Sequence, residues 1–360
     1  MKIEYVDKPV SAWGGLRIMK ELINRSGVLD QLNGMPLPQP GSNRGYSPLT
    51  IIEAFWVSIW IGASRFIHAD WLRYDTVLQK IFGWERVPSQ STYSRFFHKF
   101  SWKRNSEIFP KIQKWFIDQI NVKNITLDFD STVITRYSEQ EGSRRGYNPH
   151  KPGRPSHHPI LAFASKLRIV VNAWMRPGNT AAVSNFISFL EETFEILKDK
   201  QVGLVRADSG FYSDKVMKWF EKRILSYIIA VKLQKPIKLI LRSMETWIEI
   251  APGIQIAEFK YKAQKWKSER RFVAVRKDVR KNPKFSGKLL TLFDEEIPIW
   301  RYSVFVTNME LPNEQIWNLY RDRADTENRI KELKLDFGAD NFCLKKFWAT
   351  EAAFRFIMIS

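Results

Sequence analysis

Tyr320, Arg323, Glu327 and Lys334 are spaced to act together. At about 100° of turn per helical residue they project at roughly 0°, 300°, 340° and 320°, so one helix would aim all four within a sector of about 60°. Ile316, Leu319, Ile330 and Leu333 fall on the adjoining flank and give that helix an edge to pack on a core. A solvated row of (i, i+4) pairs, each contributing about 0.2–0.5 kcal/mol, is the plainer reading of any such helix taken alone. An acid held between a tyrosine and two cations on a partly buried face is, in contrast, suited to chemistry on a phosphate.

Two further acids stand where chemistry is expected. From Asn124, the apolar Ile125, Leu127 and Phe129 alternate with Thr126, Asp128 and Asp130, the period of a strand with one buried face. Asp208 follows the apolar run Val202 to Ala207 and opens Asp208-Ser209-Gly210-Phe211-Tyr212. In open α/β sheets, sites form beyond the carboxyl ends of strands. Asp130, Asp208 and Glu327 are therefore the candidate catalytic acids. Asp128 shares the strand face of Asp130 and is either a group supporting that acid or an alternative ligand; Asp130 is favoured. Clustered carboxylates repel one another and take up protons unless a cation joins them. Mg²⁺ suits a few carboxylates with phosphate oxygens and water. Two such ions about 3.5–4 Å apart can activate an attacking water or hydroxyl and stabilise the leaving oxygen.

The elements that must position these acids are legible in outline. Residues 1–120 read as a helical N-terminal DNA-binding domain, with a helix over 15–25, another behind Pro48 through Ile51 to Ala63, and a capped start at Ser91. Arg95, His98, Lys99, Lys103 and Arg104 give this region either a helix-turn-helix-like DNA reader or a packing domain with a cationic outer face. Strands at 124–130, 160–164 and 167–174, a helix over 184–197, a strand at 202–207, a helix over 213–223 and a strand at 227–232 follow. Three strands, helix, strand, helix, strand is the order of a ribonuclease-H-like core, here 121–232 and 301–360. A β-rich basic insertion interrupts it at 233–300. Lys260 through Lys284 holds eleven Lys and Arg against Glu269 and Asp278. Phe259, Tyr261, Trp266 and Phe272 interleave with these cations, an alternation that suits a phosphate backbone and stacked bases, or else an exposed sheet with lysine-blunted edges.

The three motifs together resemble the insertion-sequence DDE transposases, specifically the insertion-sequence-four superfamily marked by tyrosine, two residues, arginine, three residues, glutamate, six residues, lysine. Tyr320, Arg323, Glu327 and Lys334 fit that spacing without a gap, and Asp130-Ser131-Thr132 and Asp208-Ser209-Gly210-Phe211-Tyr212 are similar to its two aspartate motifs. Gly146-Tyr147-Asn148-Pro149 with His157-His158-Pro159 resembles the group named after insertion sequence thirteen-eighty. The resemblance implies a transposase of a bacterial insertion sequence that cuts at element ends and joins the freed 3′ hydroxyl to target DNA. It implies that Asp130, Asp208 and Glu327 hold two Mg²⁺ ions, with Mn²⁺ able to substitute, and that Tyr320, Arg323 and Lys334 hold DNA phosphates. Double-stranded DNA at the terminal inverted repeats and the target, and a dimer on that DNA, are the expected partners. The alternative is a truncated, non-catalytic remnant that binds element ends and inhibits transposition. It draws on Ala352 to Ile359, which reads as an apolar helix start with nothing after it to pack against.

Composition fits a polyanion partner. With 57 Lys and Arg against 38 Asp and Glu, the chain carries a formal charge of +19 over 360 residues. The single cysteine, Cys343, excludes internal disulfides and cysteine-rich zinc sites, and no Ser/His/Asp or Cys/His set stands out. The most apolar stretch is too short to span a bilayer and Met1-Lys2-Ile3-Glu4 opens no secretion signal, so a cytoplasmic chain is expected, and the resemblance implies a bacterial, nucleoid-associated one. Lys151-Pro152-Gly153-Arg154-Pro155 reads as a Pro-rich hairpin loop or a minor-groove hook. His157-His158 makes a poor metal set without further ligands nearby, and Asp294-Glu295-Glu296 reads as a solvated turn.

Overall fold

The computed structural model describes residues 8–279 and 300–360. The first part is helical: α1 (Arg17–Ser26), α2 (Val28–Asn33), α3 (Pro48–Trp60), α4 (Thr76–Phe82), α5 (Gln90–Phe97) and α6 (Trp102–Asp118). Pro48 takes the first position of α3, where no backbone N–H is needed, and Ser47 Oγ accepts from Thr50 N. Gly83, at φ 70°, closes α4 in the left-handed region that a side chain would resist. Among the described residues, no helix is long and apolar enough to cross a membrane.

The chain then becomes strand. β1 (Asn124–Ser131) is followed by β2 (Ile134–Thr135), β3 (Arg144–Arg145) and β4 (Pro155–His157), which form a small separate sheet in the order β2-β4-β3. β5 (Ile160–Ala164) and β6 (Ile169–Trp174) return antiparallel beside β1. α7 (Phe186–Ile196), β7 (Gln201–Ala207), α8 (Asp214–Lys222) and β8 (Tyr227–Ala230) complete two crossovers, each giving a parallel pair. The order β6-β5-β1-β7-β8 fits a ribonuclease-H-like core. After α9 (Lys235–Ser243) come β9 (Ile248–Ala251), β10 (Ile254–Tyr261), β11 (Arg270–Asp278) and β12 (Trp300–Thr307). β12 pairs antiparallel with β8, so the late strands continue the same sheet, to nine strands among the described residues. The final helices are α10 (Asn313–Arg321), α11 (Ala324–Leu335) and α12 (Phe347–Ile359).

β1 is central, and that corrects the expectation of one buried face. Ile125, Leu127 and Phe129 enter the core under α7 and α8, while Asp128 and Asp130 on the opposite face are also buried. A central strand flanked on both sides, with helices over both faces, leaves no solvated face. On the face of the two aspartates the apolar packing is divided. One core joins α3, α5, α6 and α12 to Leu161 and Phe163 of β5; another joins Ile316 and Trp317 of α10 to Ile228, Val273 and Phe305 of the far strands.

The apolar C-terminal helix has ample partners, contrary to the expectation drawn from its sequence. It packs back on the first helices: Phe356 meets Phe109 with ring centroids 5.0 Å apart, and Trp56 Nε1 donates to Phe356 O at 3.0 Å across 300 residues. The partner of this helix precedes it in the chain. The basic late strands also differ from a base-stacking platform. Phe259, Tyr261, Trp266 and Phe272 pack on one another, and Phe272 is fully buried. Arg270 is held by Glu221 and Asp214, Arg271 by Glu258, and Arg276 lies between the rings of Trp247 and Trp300. Lys260, Lys262, Lys265 and Lys267 remain exposed. Arg280, Lys281, Lys284 and the run Asp294-Glu295-Glu296 lie outside the described residues.

Candidate active site

Register brings the first two acids together. In the parallel pair β1–β7, Phe129 stands opposite Ala207, so the next residues, Asp130 and Asp208, lie side by side at the carboxyl ends of adjacent strands. Strands in a sheet lie about 4.8 Å apart, which sets the scale of that juxtaposition. Asp208 is half-exposed and its Oδ1 accepts from Gly210 N at 2.9 Å, which closes the tight turn after β7. Asp130 is buried; its Oδ1 accepts from Ser131 N at 2.8 Å.

The predicted single helix carrying Tyr320 to Lys334 is two helices. α10 stops at Arg321, and a tight turn with hydrogen bonds from Arg323 N to Tyr320 O and from Thr326 N to Arg323 O starts α11. The cause is packing: Ile316 and Trp317 bury in one core, and Ile330 buries with Leu333 against the other. A straight helix would follow one core and leave the other open. The break sets Arg323 over the end of β1 between the two.

Arg323 is the hub. It is 4% exposed, its Nη2 lies 3.0 Å from Asp130 Oδ2 and donates to Phe129 O at 3.1 Å, and its Nη1 stands 3.9 Å from Glu327 Oε1. The Glu327 carboxylate is open to solvent, with its side chain 64% exposed. Burial works against the charge of Arg323, but Asp130, Tyr320 and Asp208 outweigh it and hold the guanidinium protonated. Burial pushes the Asp130 carboxyl up to about 6; Arg323 opposes this, and the charges of Asp208 and Glu327 reinforce it. The three acids thus act on one another electrostatically although they come from a strand end, a turn and a helix.

Tyr320 packs on Phe305, ring centroids 4.4 Å apart, and burial pushes its hydroxyl up to about 12 against the pull of Arg323. It is a neutral hydroxyl beside the acids. Lys334 Nζ donates to Thr132 Oγ1 and to Val133 O at 3.1 Å, just past the Asp130-Ser131-Thr132 turn; burial holds its ammonium below the ordinary range.

Asp128 is fully engaged elsewhere. Its Oδ1 accepts from Arg206 Nε at 2.6 Å, and its Oδ2 from Arg206 Nη2 and Thr326 Oγ1, each at 2.7 Å. Arg206 also donates to Ser165 Oγ and Leu319 O. Sequence reasoning passed over Arg206 and Thr326. The available signal was a cation inside the apolar run of β7: such a residue is buried only with a partner, and Asp128 stands opposite it in register. His157 and His158 are structural. His157 Nδ1 accepts from Arg136 Nε and its Nε2 donates to Glu141 O, while burial and Arg136 push the ring down to about 4.

The geometry thus sets two acids at neighbouring strand ends, with a third on a helix behind an arginine. The family described as "Transposase DDE domain group 1" matches residues 2–359, and the chain belongs to it. It is a DNA transposase, an enzyme that cleaves DNA and transfers strands, and DNA is its partner. Among curated proteins there is no match. A similar solved structure is the cryo-EM piggyBac transposase synaptic complex with hairpin DNA: identity is 12%, 96% of this chain and 72% of that chain are covered, and the TM-score is 0.47. At that score the likeness adds no weight.

DDE transposases generally use divalent metal ions. Among the described residues, no three or more His, Cys, Asp or Glu are close enough to form a ready metal cage. The donor chemistry nevertheless fits a hard cation: the groups are all carboxylates, and burial first, with the charges of Asp208 and Glu327 added against the pull of Arg323, raises the proton affinity of Asp130.

Proposed function

We propose that this chain is the transposase of a bacterial insertion sequence acting in the cytoplasm, and that Asp130, Asp208 and Glu327 form its cleavage and joining centre. The observation that carries the reading is the β1–β7 register, which sets Asp130 beside Asp208, together with Arg323 reaching both Asp130 and Glu327. These carboxylates would hold two divalent ions, Mg²⁺ by their all-oxygen chemistry and Mn²⁺ in substitution; the ions supply charge neutralisation at the phosphate and a lowered pKa for the attacking oxygen.

The protein groups have separable roles. Arg323 offsets part of the acids' charge before DNA arrives and can turn its paired N–H groups to phosphate oxygens. Tyr320 offers a neutral hydroxyl donor and Lys334 a point charge at the Thr132 turn. Asp128, whose oxygens are all engaged, holds Arg206 and Thr326 and thereby fixes α11 against β1. Water is the nucleophile in the first cut and the freed 3′ hydroxyl in the joining step. A dimer on paired element ends is the assembly this reading expects.

The test is strand cleavage and joining on duplexes carrying the element ends, with the parent and with Asp208→Asn, in Mg²⁺ and in EDTA. Loss of both reactions in the variant and in EDTA, with DNA binding retained, supports the assignment. Cleavage by Asp208→Asn at the parent's rate sinks it.

A further inference from the structure

Behind Lys334 the surface opens into two hollows that share Arg136, Tyr137, Ser138 and Gln140 as a common wall. The nearer one, about 610 Å³, includes Lys334, Arg65 and Lys151 in its lining. The farther one, about 990 Å³, adds Arg144, Arg145, Arg154, Lys345 and Lys346. These five cations are exposed, and among the described residues none is paired with a carboxylate. The acids in the walls, Glu139, Glu141 and Asp340, are fewer than the cations, and Glu141 is occupied by Phe347 N. Tyr137, 73% exposed, stands between the hollows with Arg154 over its ring at 5.9 Å.

The groove is built, not draped. Arg144 and Arg145 sit on β3, and the backbone behind them is interlocked: a Cβ on Gly146 would fall 2.1 Å from Gly178 O, and one on Gly178 would fall 2.0 Å from Ser156 O. Two glycines are required for that approach, and it fixes the edge strand that presents the two arginines. The turn of Lys151–Arg154 closes through Arg154 N to Lys151 O at 3.1 Å, with Asn148 Oδ1 accepting from Lys151 N. The segment is the connection of the antiparallel β3–β4 hairpin, as the Pro-rich hairpin-loop reading expects, and its tip lies at the rim.

We infer that this groove carries the phosphate backbone of the element-end duplex from the acids outward, along β2, β3 and β4 and over Lys345 and Lys346. Unpaired cations beside an exposed tyrosine match a sugar–phosphate chain. Continuity argues for the path: Lys334 opens the groove and is bonded to Thr132, two residues past Asp130. The element end is the occupant because its 3′ terminus must stay at the acids through cleavage and joining, whereas target DNA enters only for the second step. The inference rests on the transposase reading, and its test separates the two.

The measurement is fluorescence anisotropy with a labelled duplex of the element's terminal sequence and flank. It compares the parent, the groove variant Arg144→Ala/Arg145→Ala/Lys345→Ala/Lys346→Ala, and the control Lys215→Ala/Lys222→Ala/Lys235→Ala/Lys238→Ala on α8 and α9. Four lost phosphate contacts should lower the slope of log K against log salt by up to about 3.6. A drop in affinity of tenfold or more is expected for the groove variant, with the control near the parent. Arg144→Lys/Arg145→Lys should keep most of the affinity, which guards against a folding artefact. Equal losses in groove and control variants, or none in the groove variant, overturn the inference. So does normal end binding combined with failed capture of a plasmid target, which would assign the groove to target DNA. Asp208→Asn is run alongside: if it binds ends but still cleaves, the acid assignment fails while the groove stands.

Discussion

Asp130→Asn should gain stability on the parent in the metal-free protein as pH rises from 4 to 8, while abolishing cleavage. In the folded chain the Asp130 carboxyl is pushed from its ordinary value of 3.8 to about 6, by burial first and by Asp208 and Glu327 in addition. Between those two values the folded state binds more protons than the unfolded state, so stability falls as pH rises from about 4 to about 6 and stays lower above it. At about 1.4 kcal/mol per pH unit, the gap corresponds to about 3 kcal/mol. The comparison is clean because a protonated aspartic acid and an asparagine are nearly isosteric and equally uncharged. At pH 4 both proteins therefore present a neutral side chain to Arg323, and whatever the variant costs there is common to every pH. Urea transitions followed by tryptophan fluorescence in EDTA, at pH 4 and pH 8, give the two differences. The variant should gain on the parent by about 2.4 kcal/mol over that range, since the unfolded carboxyl is already partly ionised at pH 4. A change below about 1 kcal/mol would show that Asp130 does not carry a desolvated charge, and the electrostatic case for a cation at this site would fall with it.

Three further outcomes follow from the same geometry. Arg206→Met leaves Asp128 charged and buried without its partner, so it should cost about 3–5 kcal/mol in a urea transition, partly restored by Asp128→Leu in the double variant. Gly178→Ala should cost at least about 1–3 kcal/mol, because its Cβ meets backbone oxygens on two sides; the thermal midpoint measures it, and end binding should weaken with it. Lys334→Ala removes the donor to Thr132 and Val133. It should slow cleavage on element-end duplexes by a factor on the order of 10–100, comparable to losing a charged hydrogen bond of about 1.5–3 kcal/mol; an unchanged rate would remove Lys334 from the site.

How far the sequence could be read depended on whether a feature was local. The core strands announce themselves because a buried strand has to be apolar: Ile160–Ala164 is legible to the residue, and 202–207 and 227–232 to within two. The fit of Tyr320, Arg323, Glu327 and Lys334 to a single helical face was also local, and there it misled. Periodicity fixes a face only while the helix stays straight, and this one turns at Asp322 and Arg323 because its two halves bury in different cores. The partner of α12 lay some 300 residues upstream, at Trp56, where no local pattern points. For the aromatics of the late strands, alternation with cations was visible but their mutual packing was not, since β10 meets β11 across a turn. Arg206 could have been found: an isolated cation in an apolar strand asks for a buried acid, and β1 supplies one.

Asp128 and Asp130 show why residue type and spacing leave a role undecided until the surroundings are known. They sit two residues apart on one face of one strand, both buried, each facing an arginine. Asp128 receives three hydrogen bonds from Arg206 and Thr326, so both of its oxygens are engaged within the fold. Asp130 receives one backbone hydrogen bond and shares its arginine with Glu327, while a second acid stands beside it at the end of β7. The first environment stabilises the carboxylate without outside help. The second leaves its charge under-compensated, which is the condition for binding an external cation strongly. The two pairs are also mechanically joined, because Thr326 on Asp128 directly precedes Glu327. The Asp128 pair therefore helps to hold the start of α11, and with it Glu327, against β1.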